Sequence, residues 1–214
     1  MTNIGAHAFI GCVSLKSISI PDGVTVIRDS TFNSCGMTEI TIPDSVTSIE
    51  WGAFEFCRGL KNITIPGSVT SIEEAAFNGC SALKSVTLLD GVTNIGGGAF
   101  YCCSALESVT IPASVTSIGV EAFDECPALT LRVYEDSAAH RYAIENNIPF
   151  ELIKPIKGDI DGDGEVTVSD ALAVLRVAAK LALPTQGASF DYDGDGIITV
   201  ADALSVLRIA AKLA

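Results

Sequence analysis

Apolar and polar positions recur along residues 1–133 with a fixed period. Each copy follows the pattern V-T-x-I-x-x-x-A-F-x-x-C-x-x-L-x-x-I-T-I-P-x-S, and successive phenylalanines are 23 residues apart, with one interval of 22. The I-T-I segment alternates apolar and polar residues, which predicts a short β-strand with one buried face. The phenylalanines that mark the six copies are Phe9, Phe32, Phe54, Phe77, Phe100 and Phe123.

A period of about 20–29 residues with leucine, isoleucine and one strand in each copy indicates a leucine-rich repeat solenoid. The A-F segments are expected to form short helical or 3₁₀ turns. The A-F-x-x-C-x-x-L form followed by I-T-I-P resembles the bacterial leucine-rich repeats found on surface-exposed proteins. This resemblance covers residues 1–153 and implies adhesion or protein binding.

The last copy departs from the repeat, because CPALTLRVYEDS replaces the I-T-I-P form. Residues 137–147 then predict a helix, and residues 148–153 (IPFELI) predict a final strand. A solenoid must cover its open end. We therefore expect a C-terminal cap built from a helix and a strand, at about residues 134–153.

One cysteine occupies the same position in every copy, from Cys12 to Cys126. Equivalent side chains on stacked coils point in the same direction, so we expect buried free thiols rather than disulfides. Cys102 lies outside this pattern and is expected to be exposed. A cysteine hydrolase needs a base beside its thiol, and the two histidines, His7 and His140, belong to opposite ends of the solenoid. No catalytic residue is therefore predicted.

The outward residue of each predicted strand is a hydroxyl residue, as in Thr41, Thr64 and Thr87. The row is either a binding surface or the ordinary preference of an exposed β-face for threonine.

Residues 158–214 contain two acidic loops, DIDGDGEVTVSD and DYDGDGIITVAD, which start 32 residues apart and each lead into a helical run. Positions 1, 3, 5 and 12 are acidic, position 9 is a hydroxyl residue, and position 7 would offer its backbone carbonyl. This is the spacing of an EF-hand calcium loop. Oxygen ligands favour calcium over a transition metal. The predicted ligands of two calcium ions are Asp159, Asp161, Asp163, Glu165, Thr167 and Asp170 in the first loop, and Asp191, Asp193, Asp195, Ile197, Thr199 and Asp202 in the second.

Two features differ from an ordinary EF-hand. Position 12 is aspartate instead of glutamate, and no helix enters either loop, because Pro155 precedes the first and Pro184 and Gly187 precede the second. Duplicated loop–helix units with aspartate at position 12 resemble a type I dockerin, over residues 158–214. The resemblance implies docking onto a cohesin module of a scaffold protein in a cellulosome-type assembly of fibre-degrading bacteria.

Each helical run has one apolar stripe at i, i+3, i+4 and i+7, which predicts that the two helices pack against each other. The residues of these stripes are Ala171, Val174, Leu175 and Ala178, and Ala203, Val206, Leu207 and Ala210.

A second face combines leucine, alanine and two cations, which suits a partner surface that is part apolar and part acidic. The alternative is that Leu172 and Leu204 widen the packed stripe while the cations are solvated. The predicted partner-binding residues are Val168, Leu172, Arg176, Ala179, Lys180, Val200, Leu204, Arg208, Ala211 and Lys212.

The composition of the 214 residues narrows the function further. A hydrophobic fraction of 48% with 18% charged residues excludes disorder, and a net charge of −13 argues against nucleic acid and anionic membrane surfaces. No apolar run is long enough for membrane insertion. The first residues, TNIGAHAF, lack a secretion signal and match the middle of a repeat, TNIGGGAF. We infer an N-terminally truncated fragment of an extracellular or cell-surface protein.

These features predict a β-rich solenoid over residues 1–153, a linker over 154–157 and a small all-α dockerin domain over 158–214. The chain is expected to be a non-catalytic cellulosome component, with calcium shaping the docking domain. A calcium sensor is disfavoured because no entering helix is present to move. The remaining alternative is an appendage of an enzyme whose catalytic module is absent from this fragment.

Overall fold

The computed structural model describes residues 3–154, 158–159, 166–179, 190–192, 194 and 197–211. The chain divides into two compact units, Met1–Ile153 and Lys154–Ala214. In chain order the elements are β1 (Val26–Ile27), β2 (Ser48–Ile49), β3 (Asn62–Ile65), β4 (Ser71–Ile72), β5 (Ser85–Leu88), β6 (Asn94–Ile95), β7 (Ser108–Thr110), β8 (Ser117–Ile118), β9 (Thr130–Tyr134), α1 (Ala138–Glu145), β10 (Phe150–Ile153), α2 (Val168–Ala178) and α3 (Val200–Ala210).

The first unit is a solenoid of parallel strands, as the repeat predicts. The long sheet has the order β10-β9-β7-β5-β3, and its repeat strands come from the I-T-I segments. The short sheet, β1-β2-β4-β6-β8, comes from the V-T-x-I segments and was not predicted. Its strands have two residues each, which is too short for an alternating pattern to be recognised.

The phenylalanines form one continuous stack through the core. Neighbouring ring centroids are 5.1–5.4 Å apart, with planes within 18° of parallel. Phe32, Phe54, Phe77 and Phe100 are fully buried. Each coil of the solenoid therefore contributes one ring to the stack. The coils are numbered 1 to 6 in the order of these phenylalanines, from Phe9 to Phe123.

Two left-handed residues flank each phenylalanine, one two positions before it and one two positions after it. Such a conformation costs a non-glycine residue about 1–2 kcal/mol. The left-handed residues interrupt the helical or 3₁₀ turns expected for the A-F segments. Each A-F segment is therefore a pair of tight turns instead of a helix. The residues with positive φ are His7, Ser30, Gly52, Ala75, Gly98 and Glu121 before the ring, and Gly11, Ser34, Phe56, Gly79, Cys102 and Glu125 after it.

These turns direct backbone amides at the next coil. The Phe32 N–H donates to the Ala53 carbonyl oxygen at 2.8 Å, and the Phe77 N–H donates to the Ala99 carbonyl oxygen at 2.7 Å. The strain at the left-handed positions is thus offset by hydrogen bonds that tie one coil to the next.

The short copy is accommodated at Gly36. Between Cys35 and Met37 this copy has one residue fewer than the others, and Met37 fills the buried position that leucine takes elsewhere. A Cβ atom on Gly36 would lie 1.9 Å from the Val13 carbonyl oxygen. Only glycine permits this close approach of two coils.

The predicted cap is present at the end of the solenoid. Ser137 is the N-cap of α1, and its hydroxyl accepts the His140 N–H at 3.0 Å. Strand β10 extends the long sheet by pairing in parallel with β9. Tyr142 from α1 meets Phe123, the last ring of the stack, edge to face.

The second unit contains α2 and α3, which pack against each other. Their bounds differ by 32 residues, the period of the acidic loops. No helix in the described part of the chain is long and apolar enough to cross a membrane.

Replacing Ala75 with glycine should stabilise the solenoid by about 0.5–1 kcal/mol, because removing the Cβ relieves left-handed strain that exceeds the added entropy of the unfolded chain. The matched control is Ala76→Gly, since Ala76 is fully buried and is not left-handed. The control should lose about 1–2 kcal/mol. Urea unfolding measures both, and equal destabilisation by the two substitutions would contradict the role of the left-handed turn.

Candidate docking and calcium-binding site

Both helices of the second unit begin inside the acidic loops. Position 9 of each loop, Thr167 or Thr199, is the N-cap residue, and position 12 is the third helical residue. The Thr167 hydroxyl accepts the Ser169 N–H at 3.1 Å, and the Asp170 carboxylate accepts the Thr167 N–H at 2.6 Å. This capping box was not predicted, although the T-x-x-D spacing signals it.

The position-12 carboxylates are buried. Asp170 and Asp202 have no exposed surface. In the second loop, Asp202 Oδ2 accepts the Thr199 N–H and Oδ1 accepts the Tyr192 N–H, both at 2.7 Å. The second contact joins position 2 to position 12, so Asp202 connects the start of the loop to the start of α3.

The start of the second loop is also ordered by its own acidic side chain. Asp191 Oδ1 accepts the Gly194 N–H at 2.7 Å. Gly194 is left-handed, with φ of +80°, which explains a glycine at position 4 that sequence analysis did not single out. The starts of the two loops lie close together, because a Cβ atom on Gly158, just before the first loop, would be 3.5 Å from the Tyr192 ring.

The described part of the site fits a hard divalent cation. It offers the carboxylates of Asp159 and Asp191 at position 1, two threonine hydroxyls and two buried carboxylates. Removing a carboxylate from water is costly unless it is paired or coordinates a metal. Oxygen donors of this kind are those that calcium takes. Among the described residues, no three histidine, cysteine or acidic side chains cluster around one point. The predicted ligands Asp161, Asp163, Glu165, Asp193 and Asp195 lie outside the described residues.

The packing stripe of the helices differs from the prediction at one position. Ala171, Val174 and their equivalents Ala203 and Val206 are buried as expected. Leu175 and Leu207 are exposed, at 39% and 36%, so their assignment to the packed stripe was wrong. Alanine and valine form the contact between the two helices, and this contact is narrow. The half-buried Val177 packs against it at its edge, where Leu175 was expected.

The exposed faces of the two helices are nearly equivalent. Leu172 and Leu204 expose 45% and 53% of their surface, so they do not widen the packed stripe. Arg176 and Arg208 are exposed beside them. Val168, Val200, Ala179 and Ala211 are exposed as well, whereas Lys180 and Lys212 lie outside the described residues.

The solenoid thiols are free, and those of the central coils are buried. In coils 2 to 6 the repeat cysteine donates its Sγ–H to the phenylalanine carbonyl oxygen of the preceding coil, at 3.0–3.3 Å. Burial raises the pKa of the Cys57 thiol to about 12 and the pKa of Cys80 well above its usual value. A protonated buried thiol is a poor nucleophile. Cys12 and Cys126, at the ends of the row, are only half-buried, as is Cys102.

The threonines of the repeat have two structural roles. Thr41, Thr64 and Thr87 face solvent from the I-T-I segments, as predicted. Another row was not predicted, in which the Thr93 hydroxyl donates to the Thr70 carbonyl oxygen at 2.9 Å and the neighbouring coils repeat the contact. The repeated V-T therefore ties adjacent coils together.

Two protein-family models match the chain, one in each unit. The model of the BspA type leucine rich repeat region matches six copies over residues 2–130. The chain belongs to the BspA-type leucine-rich repeat family. The type I dockerin model matches residues 157–209, so a dockerin domain follows the repeats. Dockerin domains are cohesin-binding modules, leucine-rich repeats are protein-interaction modules, and neither is catalytic.

Solved structures resemble the repeat region. A T. pallidum leucine-rich repeat protein is 28% identical, covers 70% of this chain and 78% of its own, and superposes with a TM-score of 0.59. The pneumococcal vaccine antigen PcpA is 19% identical, with 65% of this chain and 42% of its own covered and a TM-score of 0.52. The second likeness concerns the fold alone. No curated protein matches the chain.

Proposed function

We propose that this chain is a non-catalytic component of a cellulosome-type assembly engaged in polysaccharide degradation outside the cell. Residues 158–214 would bind a cohesin module of a scaffold protein, residues 154–157 would act as a linker, and residues 1–153 would present an interaction or adhesion surface. The observation that carries the proposal is the pair of equivalent exposed faces on α2 and α3, each beginning at a buried loop carboxylate.

Two calcium ions would hold the docking domain in shape. The ligands are Asp159, Asp161, Asp163, Thr167, Asp170 and the Glu165 carbonyl in the first loop, and their equivalents Asp191, Asp193, Asp195, Thr199, Asp202 and the Ile197 carbonyl in the second. Bound calcium supplies positive charge that neutralises the carboxylates. The buried Asp170 and Asp202 also accept amides at the helix N-termini, so they connect each metal site to the start of its helix.

The cohesin surface would consist of the exposed positions of both helices. Exposed leucines beside an arginine form a patch that is apolar at its centre and positive at its edge, which suits a partner surface with acidic residues. Leu175 and Leu207 join this surface, since both are exposed. The remaining members are Val168, Leu172, Arg176, Ala179 and Lys180, with Val200, Leu204, Arg208, Ala211 and Lys212.

Replacing Asp170 with asparagine should weaken one of two calcium-binding events by at least about tenfold, because the site loses one full charge beside the cation. The asparagine oxygen can still accept the Thr167 N–H, so the capping contact is retained. Ser169→Ala is the matched control, since the second unit has alanine at this position. Calorimetry with calcium measures both. Two unchanged binding events in Asp170→Asn would contradict the assignment of this ligand.

The near-identity of the two faces predicts that cohesin binds in two orientations. Losing one of two equivalent modes halves the association constant, which is about 0.4 kcal/mol. Leu172→Glu with Arg176→Glu should therefore weaken binding only slightly, and so should Leu204→Glu with Arg208→Glu. All four substitutions together should remove binding, because central apolar and cationic residues contribute most of an interface.

Calorimetric titration with the cognate cohesin, in calcium and again with chelator, measures these affinities. Circular dichroism in calcium verifies that each variant is folded. If one pair of substitutions alone eliminates binding by a folded domain, a single orientation is used. If the chain with all four substitutions binds as the unmodified chain does, these faces are not the docking surface.

A further inference from the structure

The turn segment of coil 3, residues 50–58, differs from those of the neighbouring coils in its exposed side chains. Trp51 and Phe56 expose 46% and 39% of their surface, and Arg58 is exposed beside them. At the position of Trp51, coils 2 and 4 have an acidic residue, and at the position of Phe56 they have serine or glycine. The repeat therefore folds without these aromatic side chains. Trp51, Phe56 and Arg58 are called here the coil 3 patch.

Phe56 has a strained backbone conformation. Its φ of +55° lies in the left-handed region, and its side chain is the largest among the described left-handed residues. A bulky residue rarely adopts this conformation, and strain of this kind occurs mostly at functional sites. Since Ser34 and Gly79 hold the same position in coils 2 and 4, the turn itself does not require phenylalanine. The strained residue therefore points to a function for this side chain.

The Phe56 ring is held in place from two sides. A Cβ atom on Gly79 would lie 2.4 Å from the Cδ1 atom of the ring, so the ring occupies space that a larger residue of coil 4 would fill. On the same coil, the Cζ atom of Arg58 lies 5.6 Å from the ring centroid, which is a cation–π distance. A side chain that is fixed before binding loses little conformational freedom when a partner covers it.

Trp51 lies beside an exposed acidic residue of the next coil. Trp51 and Glu74 hold equivalent positions in coils 3 and 4, and the Gly52 N–H donates to the Glu74 carbonyl oxygen at 3.1 Å. The Glu74 carboxylate forms no ion pair with another described residue. An exposed indole near an unpaired carboxylate suits a lysine or arginine side chain, which gains a cation–π contact and charge attraction.

The charge around the coil 3 patch also favours a cationic partner. The turn segments of coils 2 to 4, residues 28–35, 50–58 and 73–81, contain five acidic residues and two arginines. The acidic residues are Asp29, Glu50, Glu55, Glu73 and Glu74, and the arginines are Arg28 and Arg58. Tryptophan and arginine are enriched among the residues that contribute most to protein interfaces.

The polar side chains next to Phe56 are engaged with one another. Asn33 Nδ2 donates to Glu55 Oε2 at 2.8 Å, and Asn78 Nδ2 donates to Glu55 Oε1 at 2.9 Å. A sugar that stacked on the aromatic rings would need hydrogen-bonding partners for its hydroxyls, and these side chains already bond to each other. Apolar and cationic side chains of a protein need no such partners, so the coil 3 patch suits a protein better than a polysaccharide.

We propose that the coil 3 patch binds a segment of a partner protein that brings apolar side chains to Trp51 and Phe56 and a lysine or arginine to Glu74. This inference rests on the proposed role of the solenoid in protein interaction. The occupant is a surface segment that combines leucine-like and cationic side chains. A polysaccharide that stacks on Trp51 is the competing outcome.

Tryptophan fluorescence of the full chain in calcium tests the proposal, because Trp51 is the single tryptophan of the sequence. The probe is the pentapeptide LKLKL, blocked at both ends. Two further peptides serve as controls: LELEL, which reverses the charge, and GKGKG, which lacks the apolar side chains. We expect a saturable blue shift with LKLKL and weaker quenching by acrylamide, since the indole becomes buried. Both control peptides should bind at least about fivefold more weakly.

Two substitutions locate the binding surface. Glu74→Lys should weaken LKLKL binding about fivefold or more, since it replaces attraction with repulsion. Its matched control is Glu125→Lys, an equal change of charge at an exposed acid of coil 6. Phe56→Ser, which introduces the residue of coil 2, should also weaken binding about fivefold or more. Its control is Leu89→Ser, because Leu89 is equally exposed, at 40%, and follows β5 outside the turn segments. Both controls should change the affinity less than about twofold.

Circular dichroism verifies that each variant is folded. The inference is overturned if the fluorescence does not change at millimolar LKLKL, if GKGKG binds as well, or if each variant binds like its control. It is also overturned if cellohexaose shifts the fluorescence and LKLKL does not. Calorimetric binding of LKLKL with no change at Trp51 would overturn it but leave protein binding by the solenoid intact. Titrating the same samples with cohesin reports separately on docking, so failure of the coil 3 patch and failure of the docking function are distinguishable.

Discussion

Backbone hydrogen bonding between successive coils is the constraint on which the solenoid depends. Alternate amides of each turn, such as those of Ser30 and Phe32, donate to the next coil, while the amides between them bond within their own coil. Half of the turn amides are therefore satisfied only by a neighbouring coil. This pairing fixes the separation of the coils, and the ring spacing of 5.1–5.4 Å along the phenylalanine stack follows from it. Once the spacing is fixed, every repeated residue meets its own equivalents. Phenylalanine therefore stacks on phenylalanine, cysteine donates to the preceding coil, and threonine bonds to threonine.

Such a one-dimensional arrangement confines a defect to the coils beside it. The missing residue of coil 2 is absorbed at Gly36, and the phenylalanine stack continues past it without a break. What is lost is a short stretch of pairing between coils 2 and 3, where Ser68 has a buried hydroxyl without a partner in the described structure. The repeat can thus vary locally while the fold is retained.

The described residues of the second unit form no comparable stack. Its buried apolar set is Ala171, Val174, Phe190, Ala203 and Val206, and it buries two carboxylates as well. The described part of this core gains little from apolar burial, and buried carboxylates oppose folding unless they are compensated. Calcium at a thousandfold excess over its Kd would add about 4 kcal/mol per occupied site to the free energy of unfolding of this unit. This difference is the physical basis of the proposal that calcium stabilises the second unit.

Periodic features were predictable from sequence, and features set by neighbouring coils were not. The 23-residue period predicted the long strands and the solenoid. The loop spacing predicted that a helix follows each acidic loop, although α2 and α3 begin three residues earlier than expected, inside the loops. The short sheet was missed because two-residue strands such as Val26–Ile27 have no period of their own. Leu175 was misassigned because a stripe of four apolar residues does not reveal how narrow the helix contact is. The left-handed residues were missed because eight of the twelve are not glycine.

Hydrogen exchange of the intact chain, with calcium and with chelator, tests the central claim most directly. The account predicts that amides of α2 and α3 exchange much faster once calcium is removed, while amides of the central coils, such as Phe54 and Phe77, keep the same slow rates. Helix amides that stay equally protected without calcium would contradict a structural role for the metal, and so would loss of protection spread equally over both units.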